Sequence, residues 1–115
     1  MKVIASHNGL AAAERAFQRL QAGVPPLDVV VEGVSLIEDD PEETTVGYGG
    51  IPNEDGVVEL DAAVMDGKTH RGAGVAALQG VRHPSQDARL LMEQTNRVLL
   101  VGEGALKFAR ANGFA

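Results

Sequence analysis

A strand-turn-strand pattern in the middle of the sequence constrains the fold more than any other feature. Apolar side chains recur at every second position, the period of a strand with one apolar face, at Val58, Leu60, Ala62 and Val64. Asp66-Gly67 follows as a turn signal, and a second strand is predicted around Gly74 to Leu78. We expect the two strands to pair as an antiparallel hairpin, so the fold must contain a sheet.

Two helical patterns precede this hairpin. The first has one apolar stripe, formed by Leu10, Ala13, Phe17 and Leu20, and Gly23 with Pro25-Pro26 should end it. The second stripe is formed by Leu27, Val30, Val31, Val34 and Ile37. It should end at Asp40-Pro41, because a residue before proline avoids the helical region. The glycine-rich segment from Glu42 to Asp55 lacks a helical period, which predicts a structured loop.

Shorter elements are predicted towards both ends of the chain. Lys2 to Ser6, broken by Asn8-Gly9, and Val98 to Val101 each favour a buried strand. Ser85 is the predicted N-cap of a helix, and a last helix should run from Ala105 to about Ala111. This order of elements predicts an α/β (α+β) fold. Because no repeat or linker interrupts the chain, we predict a single segment over residues 1–115.

The charge distribution narrows the classes of function. The formal net charge is −6, and eleven of the 16 acidic residues lie between Glu32 and Asp66, a stretch without Lys or Arg. Such a stretch repels a phosphate backbone, so we expect no nucleic-acid partner. The chain has no cysteine, and its three histidines lack ligand spacing, so neither a metal nor another cofactor is expected. No run is apolar enough for a signal peptide or a membrane span, which predicts a cytosolic protein with no membrane partner.

Three motifs have a chemical interpretation. Gly102-Glu103-Gly104 before a helix is compatible with phosphate binding, although Lys107 stands where the dinucleotide fingerprint has its third glycine. Ser6 and His7 are neighbours in an extended segment and point to opposite faces, so they do not form a catalytic pair by spacing. The acidic run from Glu38 to Glu43 is typical of a solvated surface. The residues alone identify no catalytic centre.

Five blocks of sequence form an ordered series that covers most of the chain. They are Ile37–Pro41, Thr45–Asn53, Leu60–Gly67, Ala88-Arg89 with Met92–Thr95, and Leu99–Ala105. In this order they resemble the α chain of the glycosylasparaginase and plant-type asparaginase family, and they are closer to the glycosylasparaginase branch. The resemblance extends from Val3 to Phe114.

The resemblance implies an N-terminal-nucleophile hydrolase with a four-layer αββα sandwich, of which this chain supplies about half. In this family a precursor cuts itself before a threonine, which then attacks the side-chain amide of L-asparagine, a β-aspartyl peptide or N4-glycosylated asparagine. None of Thr44, Thr45, Thr69 and Thr95 lies in the family's His-Asp-Thr-type junction. We therefore expect the nucleophile on a β chain from the same precursor, in an (αβ)2 assembly.

The resemblance also assigns two substrate-binding residues. Thr45 matches a Ser/Thr position in the glycine loop, where a hydroxyl lies near the nucleophile. His7 stands where the glycosylasparaginase branch has a pocket tryptophan, which predicts a weaker preference for glycosylated asparagine. Leu36 to Val46 resembles a segment that can hold sodium through main-chain carbonyls in related asparaginases, but no side chain indicates this and we assign no metal site. The alternative hypothesis is a stand-alone small-molecule or nucleotide-binding α/β domain that uses Gly102 to Ala105.

Overall fold

The computed structural model describes residues 1–114 and confirms an α+β architecture. Its helices are α1 (Leu10–Gln21), α2 (Pro26–Glu38), α3 (Pro84–Gln94) and α4 (Gly102–Ala111), and its strands are β1 (Leu60–Asp66), β2 (Arg71–Leu78) and β3 (Leu99–Val101). A single 3-10 turn, Gly47–Gly49, interrupts the predicted loop. Among the described residues, no helix combines the length and apolarity that crossing a bilayer requires.

The predicted hairpin is confirmed. β1 and β2 pair antiparallel with Asp66 opposite Arg71, so residues 67–70 make the turn. The register shifts between Leu60 and Ala62, and on the opposite strand Ala77 has a positive φ of 49°. The N–H of Ala77 donates to the Oδ1 of Asp61 at 2.8 Å. Because the strand pairing is irregular here, the Asp61 carboxylate replaces the backbone carbonyl that would otherwise accept the N–H of Ala77.

The sheet has one covered face and one bare face. Its order is β1-β2-β3, with β3 parallel to β2. Ala73 and Val75 of β2 lie on the covered face and pack in the apolar clusters formed with α3 and α4. On the opposite face Met65, Leu99 and Val101 are 68%, 56% and 54% exposed. Within residues 1–114, helices therefore cover one apolar face of the sheet and leave the other to solvent.

Helices α1 and α2 pack closely against each other. Gly33 allows the close approach, because a Cβ at this position would lie 3.0 Å from the carbonyl oxygen of Ala12. Glu32 pairs with Arg15 at 2.8 Å and with Arg19 at 3.1 Å. These pairs lie at the surface, so they orient the two helices more than they stabilise them.

Two predicted strands differ from the structure. Lys2 to Ser6 forms no strand in the described chain, because it pairs with none of the three strands of the sheet, and Ile4 is exposed there. Val98 to Val101 contributes β3, but the prediction that this strand is buried is wrong within residues 1–114. Its outward side chains lie on the bare face of the sheet.

Two predicted helix starts are also wrong. Ser85 is the second residue of α3 rather than its N-cap, because the helix begins at Pro84 and the Ser85 hydroxyl binds a side chain of α2 instead. The last helix begins at Gly102 rather than Ala105. Gly102 has a φ of +57°, which turns the chain directly from β3 into α4 without an intervening loop.

Candidate functional site

The loop that carries Thr45 is held against the C-terminal end of α2. Gly47 has a φ of +65°, and a Cβ at this position would lie 2.3 Å from the Cα of Glu38. A Cβ at Gly49 would lie 2.6 Å from the carbonyl oxygen of Pro41. No other residue type fits at these positions without a shift of the backbone, so the two glycines fix the path of the loop.

Glu43 joins this loop to the N-terminal segment of the chain. Its Oε1 accepts the backbone N–H of Thr45 at 2.9 Å and also the hydroxyl hydrogen of Thr45. Its Oε2 accepts a bond from Asn8 Nδ2 at 3.3 Å, and the same nitrogen lies 3.3 Å from Thr45 Oγ1. The hydroxyl bond from Thr45, followed by the backbone bond, lowers the pKa of Glu43, so the carboxylate is ionised at neutral pH.

His7 lies beside this network, in an exposed turn. The turn is closed by the N–H of Gly9, which donates to the carbonyl of Ser6 at 2.8 Å. The Ser6 hydroxyl donates to Asn8 Oδ1 at 2.5 Å, so it is engaged by the amide and not by the imidazole. The charge of His7 makes a minor contribution to the lowered pKa of Glu43. The structure thus brings His7 and Thr45, the two predicted site residues, to one surface.

Glu38, the first carboxylate of the acidic run, is buried rather than solvated. Its Oε1 accepts the Ser85 N–H and its Oε2 accepts the Ser85 hydroxyl hydrogen, both at 2.9 Å. Burial raises the pKa of Glu38, and the two bonds from Ser85 oppose that rise. Because Ser85 lies in the first turn of α3, the carboxylate at the end of α2 satisfies an N–H that has no partner inside the helix.

Asp39 anchors the same region to the segment before α3. Its Oδ1 accepts a bond from Arg82 Nε at 2.5 Å and lies 2.9 Å from His83 Nε2. The bond from Arg82, followed by the bond from His83, lowers the pKa of Asp39. The Arg82 guanidinium also lies 5.1 Å from the centroid of the Tyr48 ring. Glu38 and Asp39 are therefore adjacent in sequence but bind different partners in the segment around the start of α3.

The other candidate motifs have little support from the structure. At the start of α4, Glu103 lies in the first turn, where its charge opposes a bound phosphate. The described residues contain no group of three or more Asp, Glu or His side chains that could hold a metal ion. In the segment from Leu36 to Val46, the carbonyls of Ile37, Asp40 and Thr44 accept N–H bonds from the loop itself, and we assign no ion to them.

Sequence reasoning missed the roles of Asn8, Glu38 and Glu43. Asn8 is interpreted above only as a break after a strand, and the two acids only as members of a solvated run. Asn8 and Glu43 are 35 residues apart, and Glu38 and Ser85 are 47 apart, so local spacing carries no signal for either contact. Asn8 and Glu43 could have been suggested by their closeness in sequence to His7 and Thr45, whereas nothing comparable points to Glu38.

Comparison with known proteins gives consistent matches. A family model described as asparaginase matches residues 3–115. The chain is 48% identical over 106 residues to the N(4)-(Beta-N-acetylglucosaminyl)-L-asparaginase of Elizabethkingia miricola, and the matched region covers 92% of this chain and 31% of that protein. It is 47% identical over 102 residues to the isoaspartyl peptidase of Salmonella typhimurium, covering 89% and 32%. It is 50% identical over 88 residues to the plant-type L-asparaginase of Pyrococcus horikoshii, covering 76% and 28%. The chain therefore spans 28% to 32% of the length of these curated relatives.

Proposed function

The chain belongs to the asparaginase family, and from this premise we propose that it is a segment of an enzyme that hydrolyses the side-chain amide of asparagine-type substrates. L-Asparagine, β-aspartyl peptides and N4-glycosylated asparagine are the substrate candidates, in keeping with the names of the three relatives. A threonine hydroxyl attacks the amide carbonyl, and the amine leaves with a proton. Water then hydrolyses the aspartyl ester and restores the threonine.

One observation supports a substrate pocket at the surface that carries His7 and Thr45. Asn8, the neighbour of His7, lies 37 residues before Thr45, and the bonds from Asn8 Nδ2 to Thr45 Oγ1 and to Glu43 Oε2 bring the two segments together. The resemblance assigns both residues to one pocket, so an independent geometric feature agrees with that assignment. Thr45 would bind close to the reacting groups, and His7 would lie at the edge of the pocket, where a substituent on the amide nitrogen extends.

The bare face of the sheet supports the proposal that this segment is one half of a four-layer αββα sandwich. A sheet is stable when both apolar faces are buried, and residues 1–114 bury one of them. We propose that the opposite face packs on a second sheet from a β chain of the same precursor, and that two such αβ units associate. The β chain would carry the nucleophilic threonine at its N-terminus.

The test uses the full-length protein. We expect two chains by mass spectrometry, the second beginning with threonine, and release of ammonia or amine from at least one of the three substrates. The matched control replaces that threonine with alanine, which should abolish both self-cleavage and turnover. An uncleaved, folded protein that turns over none of the substrates would overturn the proposal. A rise in its melting temperature with ATP would favour the nucleotide-binding alternative instead.

Two further features of the proposal have direct measurements. The mass of the assembled particle in solution tests the (αβ)2 assembly, because a single αβ unit would have half that mass. Fractionation of cells that make the full-length protein tests the cytosolic location.

A further inference from the structure

The hydrogen bonds around Thr45 leave its hydroxyl group with one unused position. A threonine hydroxyl has one hydrogen and two acceptor lone pairs. The hydrogen is donated to Glu43 Oε1, and one lone pair faces Asn8 Nδ2 at 3.3 Å. What remains is a single lone pair on an exposed side chain. Thr45 can therefore receive one hydrogen-bond donor, but it has no hydrogen left to give to a carboxylate or carbonyl oxygen.

The orientation of this network is fixed from both sides. Ser6 Oγ donates to Asn8 Oδ1, so the amide of Asn8 must turn its NH2 group towards Glu43 and Thr45. The backbone N–H of Thr45 donates to the same Glu43 oxygen that accepts the hydroxyl hydrogen, which holds that oxygen in place. The negative charge of Glu43 then lies directly behind the Thr45 oxygen and strengthens it as an acceptor for a charged donor.

We propose that Glu43 is a positioning residue that turns the Thr45 hydroxyl into an acceptor for an amine at the reaction centre. The inference rests on the proposed function, because it takes Thr45 to lie in the substrate pocket. The amine has two possible sources, the α-amino group of the substrate or the α-amino group of the N-terminal threonine. Both are N–H donors, and both are positively charged in part or in full near neutral pH.

A double-mutant cycle in the full-length protein tests whether Glu43 acts through Thr45. Glu43→Ala should lower kcat/KM for L-asparagine by about tenfold or more, the range for a hydrogen bond to a charged group. Thr45→Val should lower it at least as much. Because Glu43 acts on the hydroxyl, the double variant should be no worse than Thr45→Val alone. Glu43→Gln should restore part of the loss, since a single carbonyl oxygen can accept both bonds from Thr45.

Asp66→Ala is the matched control for loss of loop bonding. Asp66 also accepts a backbone N–H, from Lys68 at 3.0 Å, and a threonine hydroxyl, from Thr69 at 2.9 Å, but it is the last residue of β1, next to the β1-β2 turn. Both variants should have similar melting temperatures, while Glu43→Ala alone should lose activity. The inference is overturned if the kcat/KM of Glu43→Ala is within about twofold of that of Asp66→Ala. It is also overturned if the loss of kcat/KM in the double variant equals the product of the losses in Glu43→Ala and Thr45→Val. If Glu43→Ala does not fold, the same comparison is made with Glu43→Met, which keeps the length of the side chain but offers Thr45 no oxygen.

Succinamate, which is L-asparagine without its α-amino group, identifies the source of the amine. If Glu43 and Thr45 serve the substrate amine, the loss caused by Glu43→Ala disappears with succinamate. If they serve the amine of the N-terminal threonine, the loss is the same for both substrates and is found in kcat. Should the unmodified protein hydrolyse no amide at all, the proposed function fails and this inference fails with it. A fully active Glu43→Ala protein would remove the inference alone.

Discussion

Asp87 in α3 provides a test of how burial affects stability in this fold. The side chain is 0% exposed, and neither carboxylate oxygen has a hydrogen-bond partner among residues 1–114. Burial raises the pKa of Asp87 from 3.8 to about 6. The residue lies in the first turn of α3, where the helix dipole favours an anion, so the cost of burial exceeds that favourable term.

The raised pKa makes stability depend on pH in a defined direction. In the window between the unfolded value of 3.8 and the folded value of about 6, the folded state holds the proton and the unfolded state releases it. Stability is therefore greatest below this window and falls as the pH rises through it. A shift of about two units corresponds to about 3 kcal/mol, which is the expected cost of ionised Asp87 above the window.

Asp87→Asn removes this cost and nearly conserves shape. At about pH 8 the variant should gain up to about 3 kcal/mol in the free energy of unfolding, and at about pH 4 the gain should vanish. Urea unfolding of the full-length protein at both pH values measures the difference. Asp66→Asn is the control, because hydrogen bonds from Lys68 and Thr69 lower the pKa of that carboxylate, so its replacement should give no gain. A loss of stability for Asp87→Asn at about pH 8 would refute the reasoning and show that the assembled protein pairs this carboxylate.

Three further outcomes are expected. Ser85→Ala should lower the free energy of unfolding by about 1–3 kcal/mol in urea titrations, because it leaves buried Glu38 Oε2 without a donor; an unchanged midpoint would contradict this. Gly47→Ala should reduce the yield of folded protein, since its Cβ would collide with the backbone of Glu38 at a φ of +65°, and normal yield with an unchanged melting temperature would contradict it. His7→Trp should raise kcat/KM for N4-glycosylated asparagine relative to L-asparagine, because the indole offers more apolar contact; an unchanged ratio would assign His7 to the surface.

The helices and the hairpin could be predicted because their signals are local. The alternation from Val58 to Val64 and the Asp66-Gly67 turn lie within one stretch of chain, and β1 and β2 form there. Proline and glycine set the start of α2 at Pro26 and help to end α1 near Gly23 in the same way. The N-cap at Ser85 failed because a distant carboxylate competes for the Ser85 hydroxyl. No pattern within the α3 sequence reports that competitor.

The residues of the candidate site also differ in whether the sequence could indicate them. Thr45 and His7 are proposed as site residues because the resemblance to the family matches each of them to a position in its substrate pocket. Asn8 and Glu43 were missed because their roles consist of contacts across 35 residues, and a carboxylate in an acidic run looks solvated until its donors are known.

The prediction that β3 is buried failed within residues 1–114, but the sequence pattern behind it is still informative. Apolar side chains recur on both faces of this strand, which is the pattern of a strand covered on each side. Within residues 1–114 one face is covered, and Leu99 and Val101 are exposed on the other. Exposed apolar side chains that lie together on one sheet face are typical of a surface that packs against another element. The same reasoning applies to Met65 on β1, and together these side chains mark the surface where the proposed β chain would pack.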